Sequence, residues 1–552
     1  MLSRERAALE PAMQLGVADI EPQGYRLAIT PENIAIQAAD AAGAFYARAT
    51  LAQIRRLHPG GDLPCVEIED APDFPVRGVM LDISRDKVPT LATLRHLVDE
   101  LAALKINHLE LYTEHTFAYR NHREVWEHAD PMTAEEIREL DGWCGERFVE
   151  LVPNQNSFGH MERWLKHPRY APLAECPDGF TLPWGARSGP FSLNPLDGGS
   201  LALLGELYAE LLPNFRSGKF NVGCDETFDL GLGRSAQACR QRGKGRVYLE
   251  FLLKIHELVR SHGRRMHFWG DIIHHHPELI SELPRDVVAL EWGYEANHPF
   301  GTNGARFREA GVPFYVCPGR SSWNTFAGRT RNCLENLRNA AEQGLAQGAI
   351  GYLNTDWGDN GHWQYLPVSY LGFAAGAAFS WCLAANRERD WPAALDAHVF
   401  RDSAAVMGRL ACDLGNVYLR PGLETPNASP LFHFVRDDAD GEWFGRVAAE
   451  NLDATLEEIG GIMAPLNQAR LQRPDAALIA DEFANAAAFV RHGCHRAQAI
   501  KSGALKRGSA ALAGELTRIL DEHRRLWLAR NRAGGLSDSV KMLGKRLEEY
   551  RA

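Results

Sequence analysis

The sequence has no run of 18 apolar residues, no CxxC pair and no surplus of basic side chains. Each absence narrows the function. Without a long apolar run, no membrane-spanning helix is predicted. Ten cysteines are scattered over 552 residues without metal-ligand spacing, so neither a structural zinc site nor a thioredoxin-like site is expected. Asp and Glu number 71 against 60 Lys and Arg, a net charge of −11. A chain of that sign has no general attraction for nucleic acid or anionic lipid. The basic run KSGALKRG at 501–508 is too short to change this. The N-terminus, MLSRERAALEPAMQL, lacks a basic start followed by an apolar stretch, so no signal peptide is expected and the cytoplasm is the expected location. What is present is ordinary globular composition: 45% hydrophobic, 24% charged and 9% aromatic residues. That builds a large core, in about three domains or one large barrel with appendages.

Residues 1–70 read as a small α/β domain. Tyr25, Leu27 and Ile29 alternate with other residues, Ile34 and Ile36 begin a second strand, 41–57 reads as a helix, and Val66 and Ile68 suggest another strand. So short a segment is expected to pack on the next domain. Residues 71–390 change to strand-then-helix units. Apolar strands are expected at 79–81, 109–112, 149–153, 220–223, 266–269, 287–291, 313–317 and 349–353, with helical stretches such as 201–212 and 247–259 between them. Eight strands with helical returns predict an α/β fold of the (β/α)8 TIM barrel type. Residues 391–552 show helical periodicity at 452–462, 476–497 and 510–528 and almost no strand signal, so this region is expected to be mostly helical.

In such barrels the active groups sit at the C-terminal ends of the strands. Here those ends carry Asp82, Glu114, Asp225-Glu226, Trp269 with Asp271, Glu291-Trp292, and Asp356-Trp357-Gly358-Asp359. A ring of acids and indoles points to a carbohydrate site. Carboxylates hold hydroxyls, and aromatic faces stack on the C–H faces of sugars. Glycosidic cleavage also needs one acid to protonate the leaving oxygen and negative charge near the anomeric carbon. Adjacent carboxyl groups in a dry mouth separate in pKa, so one can stay protonated while the other stays charged.

NVGCDET at 221–227 resembles the Gly-x-Asp-Glu signature of glycoside hydrolase family 20. FPVRGVMLDISRDKVP at 74–89, LVPNQNSFGHMERW at 151–164 and YLNTDWGDNG at 352–361 are similar, in order, to the family's first, third and closing barrel strands. Residues 24–54 resemble its small N-terminal domain. The resemblance covers about residues 20–385 and says nothing specific of the C-terminal region.

The resemblance implies a retaining, exo-acting β-N-acetylhexosaminidase that releases terminal GlcNAc, GalNAc or both. In that family the substrate's own 2-acetamido group is the nucleophile and an oxazolinium intermediate forms, so no metal or organic cofactor is implied. Its partners are glycans ending in an N-acetylhexosamine. No nucleic acid or membrane partner is expected, and oligomerisation is left open. By residue, it implies Glu226 as general acid and base and Asp225 as the acid that steadies the acetamido group. His160 with Glu114 would form a carboxylate–histidine pair tuning Glu226, and Arg77 would be the fork for the O3 and O4 hydroxyls. It also implies Trp269, Trp292 and Trp357 as pocket walls, and Asp359 as the reader of O4 and O6 where the family commonly has a glutamate. Strand seven departs from the family: VCPGRSSWNTFAGR at 316–329 has no alignable phenol for the acetamido carbonyl. Trp323 and Asn324 are lining candidates there, and Tyr294 and Tyr352 are candidates for the phenol.

The consecutive His274, His275 and His276 cannot all face one ion on regular backbone and read as a helix start. Cys224, beside the acids, has no Cys–His–Asn context and reads as a small buried neighbour. The alternatives are a related retaining glycosidase with shifted specificity, toward GalNAc alone or a substituted sugar, and a non-catalytic sugar-binding barrel. The intact acid pair speaks against the latter.

Overall fold

The computed structural model describes residues 1–7, 10–505 and 509–551. Lys506, Arg507 and Gly508 of the short basic run lie outside the described residues.

Four strands, Ala12–Leu15, Tyr25–Ile29, Ile34–Ala38 and Val66–Asp70, make an N-terminal sheet in the order first, third, second, fourth. Tyr25, Leu27 and Ile29 turn one face inward, as their alternation predicts. The helix Ala41–Leu57 covers that face. Its start is fixed by the Asp40 carboxylate, which accepts from the Gly43 N–H at 2.8 Å. Strand Ala12–Leu15 has no sequence signature because all four of its residues are exposed on the edge. The small core is completed by Trp381, from the last barrel helix, which meets Tyr46 edge-on at 5.2 Å. The N-terminal domain thus packs on the barrel, as its size required.

The barrel strands are Val76–Asp82, His108–Tyr112, Glu150–Val152, Lys219–Asn221, Arg265–Trp269, Val288–Gly293, Phe314–Pro318 and Gly351–Asp356. Neighbours in the sheet are parallel, and strand eight pairs with strand one from Gly351–Val76 to Asp356–Leu81. Strands three and four meet through a single bridge, Asn154 to Asn221. There Asn221 N–H bonds Pro153 O and Gln155 N–H bonds Asn221 O, both at 3.0 Å. Helices return the chain after most strands. After strand five only a short helix, Asp271–His274, and a 3₁₀ turn, Pro277–Glu282, do so.

Strand alternation sorts the side chains. Met80, Val288, Leu290, Tyr315 and Leu353 fill the interior, and Tyr112, Trp269 and Trp357 cap it at the C-terminal end. The barrel is a packed core, so a ligand is confined to its mouth.

The C-terminal region contains the helices Met407–Leu414, Pro430–Arg436, Ala449–Met463, Ala476–Lys501, Ala510–Arg530 and Leu536–Arg551. It grips the loops after strands one and eight. Thr90 N–H bonds Arg530 O at 3.0 Å, Arg532 N–H bonds Val88 O at 2.8 Å, and Trp363 Nε1 donates to Ser539 O at 3.2 Å. Among the described residues no helix is long and apolar enough to cross a membrane.

Candidate active site

Strand four ends at Asn221, and the chain then leaves β geometry. Gly223, Cys224 and Glu226 have φ of 69°, 70° and 48°. A Cβ at Gly223 would lie 2.1 Å from Asn156 Oδ1, so only glycine fits. Holding Cys224 and Glu226 in the left-handed region costs on the order of 1–2 kcal/mol each. The result is a convergence that a regular strand forbids. The neighbours Asp225 and Glu226 both reach His160 Nε2, Asp225 Oδ2 at 3.3 Å and Glu226 Oε2 at 3.4 Å. His160 itself has a φ of 56° and follows Gly159. A Cβ on Gly159 would lie 2.4 Å from Asp225 O, so the loops after strands three and four run in backbone contact. The Cys224 thiol is buried, and burial raises its pKa well above the ordinary value, which removes it as a nucleophile.

Charge is arranged around this pair. Burial alone would lower the His160 pKa. The Asp225 carboxylate, and then hydrogen bonding to Asp225 and Glu226, outweigh burial and raise it to about 10. His160 Nδ1 faces Arg85, 3.4 Å from its terminal nitrogen, and Glu114 Oε1 at 3.8 Å. The His160, Asp225 and Glu226 donor atoms lie within 4.8 Å of one another.

Glu114 accepts from Tyr112 OH at 3.0 Å, and burial raises its pKa against the opposing pull of Arg85 and His160. Burial also raises Asp359 to about 6, with Arg85 opposing. Asp271 accepts the Glu226 N–H at 3.0 Å; burial, then the Asp225 charge, push its pKa well up. Asp225 is 5% exposed, whereas 36% of the Glu226 side chain is open.

Beside the acids stands an aromatic cup. Trp357 lies 4.7 Å from Tyr112 and 5.8 Å from Trp269, and Trp292 stacks on Tyr294 at 5.1 Å. Trp357 Nε1 donates to Tyr294 OH at 2.7 Å. The phenol oxygen accepts there, so its own proton is left for another acceptor.

The family model described as "Glycosyl hydrolase family 20, catalytic domain" matches residues 74–323, and that described as "Glycosyl hydrolase family 20, domain 2" matches residues 3–71. The chain belongs to glycosyl hydrolase family 20. Among curated relatives it is 27% identical to the human protein named Hexosaminidase D over 41% of this chain and 46% of that one. It is 26% identical to a Beta-hexosaminidase of Akkermansia muciniphila over 50% of this chain and 61% of that one. The chain thus matches only about half the length of these two relatives. Among solved structures, a β-N-acetylhexosaminidase superposes with a TM-score of 0.57 at 19% identity, covering 72% of this chain and 95% of its own. The Flavobacterium johnsoniae chitobiase gives 0.57 at 18% identity over 97% of this chain and 88% of its own. At that identity they show the shared fold.

Within this family 20 chain, Glu226, Asp225, His160, Glu114, Trp292, Trp357 and Asp359 come together at the mouth, with Trp269 fully buried beneath Trp357. Arg77 does not. It sits at the opposite end of strand one, about 16 Å of extended chain before Asp82. Its guanidinium lies 4.9 Å from the Trp381 ring and 5.2 Å from Tyr46, donating to Lys105 O and Phe74 O at 2.9 Å. Arg77 therefore secures the N-terminal domain, and the arginine at the mouth is Arg85. It donates to Asp82 Oδ2 at 3.1 Å, lies 3.3 Å from Glu114 Oε1, and stands over the Tyr112 and Trp357 rings at 4.5 and 5.0 Å.

Trp323 backs Tyr294 edge-on at 5.1 Å and is itself buried, its Nε1 bonded to Asn427 Oδ1 at 3.0 Å. Asn324 is shared between Asn360 and Asn427. Both build the wall behind the cup. Of the two candidate phenols, Tyr294 stands at the cup, two residues past Trp292 and bonded to Trp357 Nε1. Tyr352 OH donates to Leu337 O on the outside of the barrel.

Alternation also retires two of the mouth acids. Glu291 points outward next to inward Trp292 and is held by His274 at 2.5 Å, His298 at 2.8 Å and Asn303 at 2.7 Å. Asp356 binds Ser322, Ser369 and Arg320. Asp82 braces the mouth by accepting from the Ser84, Arg85 and Gly358 N–H groups. The signal for Arg85 was present: an arginine three residues beyond a strand-end aspartate falls on the mouth loop, whereas Arg77 precedes the apolar run.

Proposed function

We propose that this chain is a retaining, exo-acting β-N-acetylhexosaminidase that uses the substrate's acetamido group as nucleophile. The observation that carries the reading is the convergence of buried Asp225 and half-open Glu226 on one side of the aromatic cup. Each side chain then has a chemical task. Glu226, open to the leaving group, gives its proton to the glycosidic oxygen as the C1–O bond breaks. The acetamido oxygen attacks C1 from the other face and an oxazolinium forms. Asp225, dry and next to cationic His160, holds the acetamido N–H and offsets the positive charge. The free O–H of Tyr294 suits the acetamido oxygen. Glu226, now a carboxylate, takes a proton from the water that opens the ring, and two inversions give retention.

Arg85 supplies a planar set of donors for the O3 and O4 hydroxyls, and Asp359 lies beside it. Because Asp359 is one methylene shorter than glutamate, it reaches less far toward O4 and O6. That supports testing galacto against gluco sugars side by side.

The deciding experiment uses aryl β-GlcNAc substrates whose N-acyl group carries zero to three fluorines. Fluorine weakens the carbonyl nucleophile, so rates fall steeply along the series, and NMR of the first product shows the β-anomer. A flat series excludes acetamido participation, and an initial α-product excludes retention.

A further inference from the structure

Thirteen tryptophans are present, and Trp184 alone among them is exposed, with 65% of its surface open. It stands at the tip of a small hairpin, Phe180–Thr181 paired with Arg187–Ser188. The tip is a tight turn: Gly185 N–H bonds Leu182 O at 2.9 Å and Leu182 N–H bonds Ala186 O at 2.8 Å. Pro183 fixes the second turn position, and Gly185 takes a φ of 89° that a side chain would resist. An exposed indole is thus carried on rigid backbone.

Its neighbours lead to the acids. Trp184 meets Phe228 edge-on at 5.5 Å, Phe228 lies 6.0 Å from Phe191, and Phe191 lies 4.9 Å from the His160 ring. Phe228 is two residues past Glu226 and its N–H bonds Glu226 O. Phe228 and Phe191 are only half-buried. A partly open aromatic shelf therefore starts at the His160 ring, beside the acid pair, and ends on Trp184. A lone exposed apolar side chain needs no explanation, but a connected row running out of a catalytic mouth does.

We propose that this shelf is the leaving-group subsite, with Trp184 as a stacking platform for the sugar ring on the reducing side of the scissile bond. The inference rests on the glycosidase reading. A general acid protonates the leaving oxygen, so the leaving group lies on the open side of the acid, and Glu226 is the open member of the pair. The occupant is a pyranose: its C–H face suits an indole held still, and its rim of hydroxyls stays in water. The cup takes the terminal sugar, and the shelf favours oligosaccharides over substrates with a small leaving group.

The test compares wild type, Trp184→Ala and Trp184→Phe on two substrates, the β-1,4-linked GlcNAc trisaccharide and β-GlcNAc fluoride, whose leaving group is too small to stack. In Trp184→Ala the ratio of kcat/KM for trisaccharide over fluoride falls about 3- to 10-fold, and Trp184→Phe recovers most of it. Calorimetry of the trisaccharide on Glu226→Gln protein, with and without Trp184→Ala, shows the same fold loss in affinity. An unchanged ratio together with unchanged affinity overturns the shelf while leaving the glycosidase reading intact. A wild-type protein inert on both substrates overturns that reading instead, and the shelf with it.

Discussion

Replacing Tyr294 by phenylalanine separates what the phenol does for the fold from what it does for the reaction. In the fold it accepts one hydrogen bond, from Trp357 Nε1 at 2.7 Å, and Trp357 is only 7% exposed. Removing the oxygen leaves that indole N–H buried and unpaired, at about 1–3 kcal/mol of stability. In the proposed reaction the phenol donates its remaining hydrogen bond to the acetamido oxygen and holds that oxygen in line with C1. Loss of that positioning is expected to lower kcat by about 10². Urea unfolding should therefore show a modest loss, and steady-state kinetics on a β-GlcNAc glycoside a large fall in kcat. A double-mutant cycle with Trp357→Phe apportions the first effect, because with the indole N–H gone the stability penalty of Tyr294→Phe shrinks toward zero. If Tyr294→Phe keeps kcat within threefold while losing the expected stability, the phenol only props Trp357 and the catalytic assignment is wrong.

Glu226→Gln should cut turnover of an unactivated disaccharide by about 10²–10⁴ with the fold intact, and retention of half of kcat removes Glu226 from the acid role. The two arginines should part company. Arg77→Leu strands the Lys105 and Phe74 carbonyls and costs about 1–3 kcal/mol of stability, with kcat/KM of the folded protein within threefold. Arg85→Lys keeps a charge but loses the fork, and should raise KM for the terminal sugar. Equal kinetics for these two variants refute the reassignment. His160 should impose an alkaline limit. Its folded pKa is raised to about 10 from an ordinary 6.5. It therefore contributes stability that is fully present below about pH 6.5 and is lost as pH rises through about 10. Unfolding curves of His160→Gln should lack that alkaline decline, and an unaltered decline refutes the assignment.

The barrel was legible because its strands are short apolar runs ending in chemistry, and the helix Ala41–Leu57 because Phe45, Ala49 and Ala52 share a face and Pro59, Gly60 and Gly61 follow it. The sequence motif also located Asp225 and Glu226, but not their convergence, which depends on positive φ at Gly223, Cys224 and Glu226. Arg77 was misplaced because a strand has two ends. A motif spanning the whole strand contains arginines at both, and only the end that follows the apolar run opens on the mouth. Glu291 and Asp356 look like site acids in one dimension. Side-chain alternation turns each outward beside an inward tryptophan or threonine. Tyr294 was one of two named phenols, and the structure distinguishes them by the same alternation, Tyr352 lying on the helix-facing side of strand eight. The edge strand Ala12–Leu15 left no trace, since nothing in it is buried.

The loops bearing Arg85 and Asp359 are sewn to the far end of the chain, through Thr90 to Arg530, Val88 to Arg532, and Gly361 and Trp363 to Ser539. Among the described residues, no hydrogen bond ties the acid pair after strand four to that region. The two halves of the mouth therefore answer to different cooperative units. If the helix Leu536–Arg551 lifts away, the half bearing Arg85 and Asp359, and the Arg163–Asp538 ion pair beyond His160, should loosen while Asp225 and Glu226 keep their places. On gentle heating, sugar affinity should fail before the barrel melts, and amide exchange at residues 85–90 should quicken in step with that at 530–540. On the proposed reading, grip on the terminal sugar would thus be governed by helices at the far end of the chain.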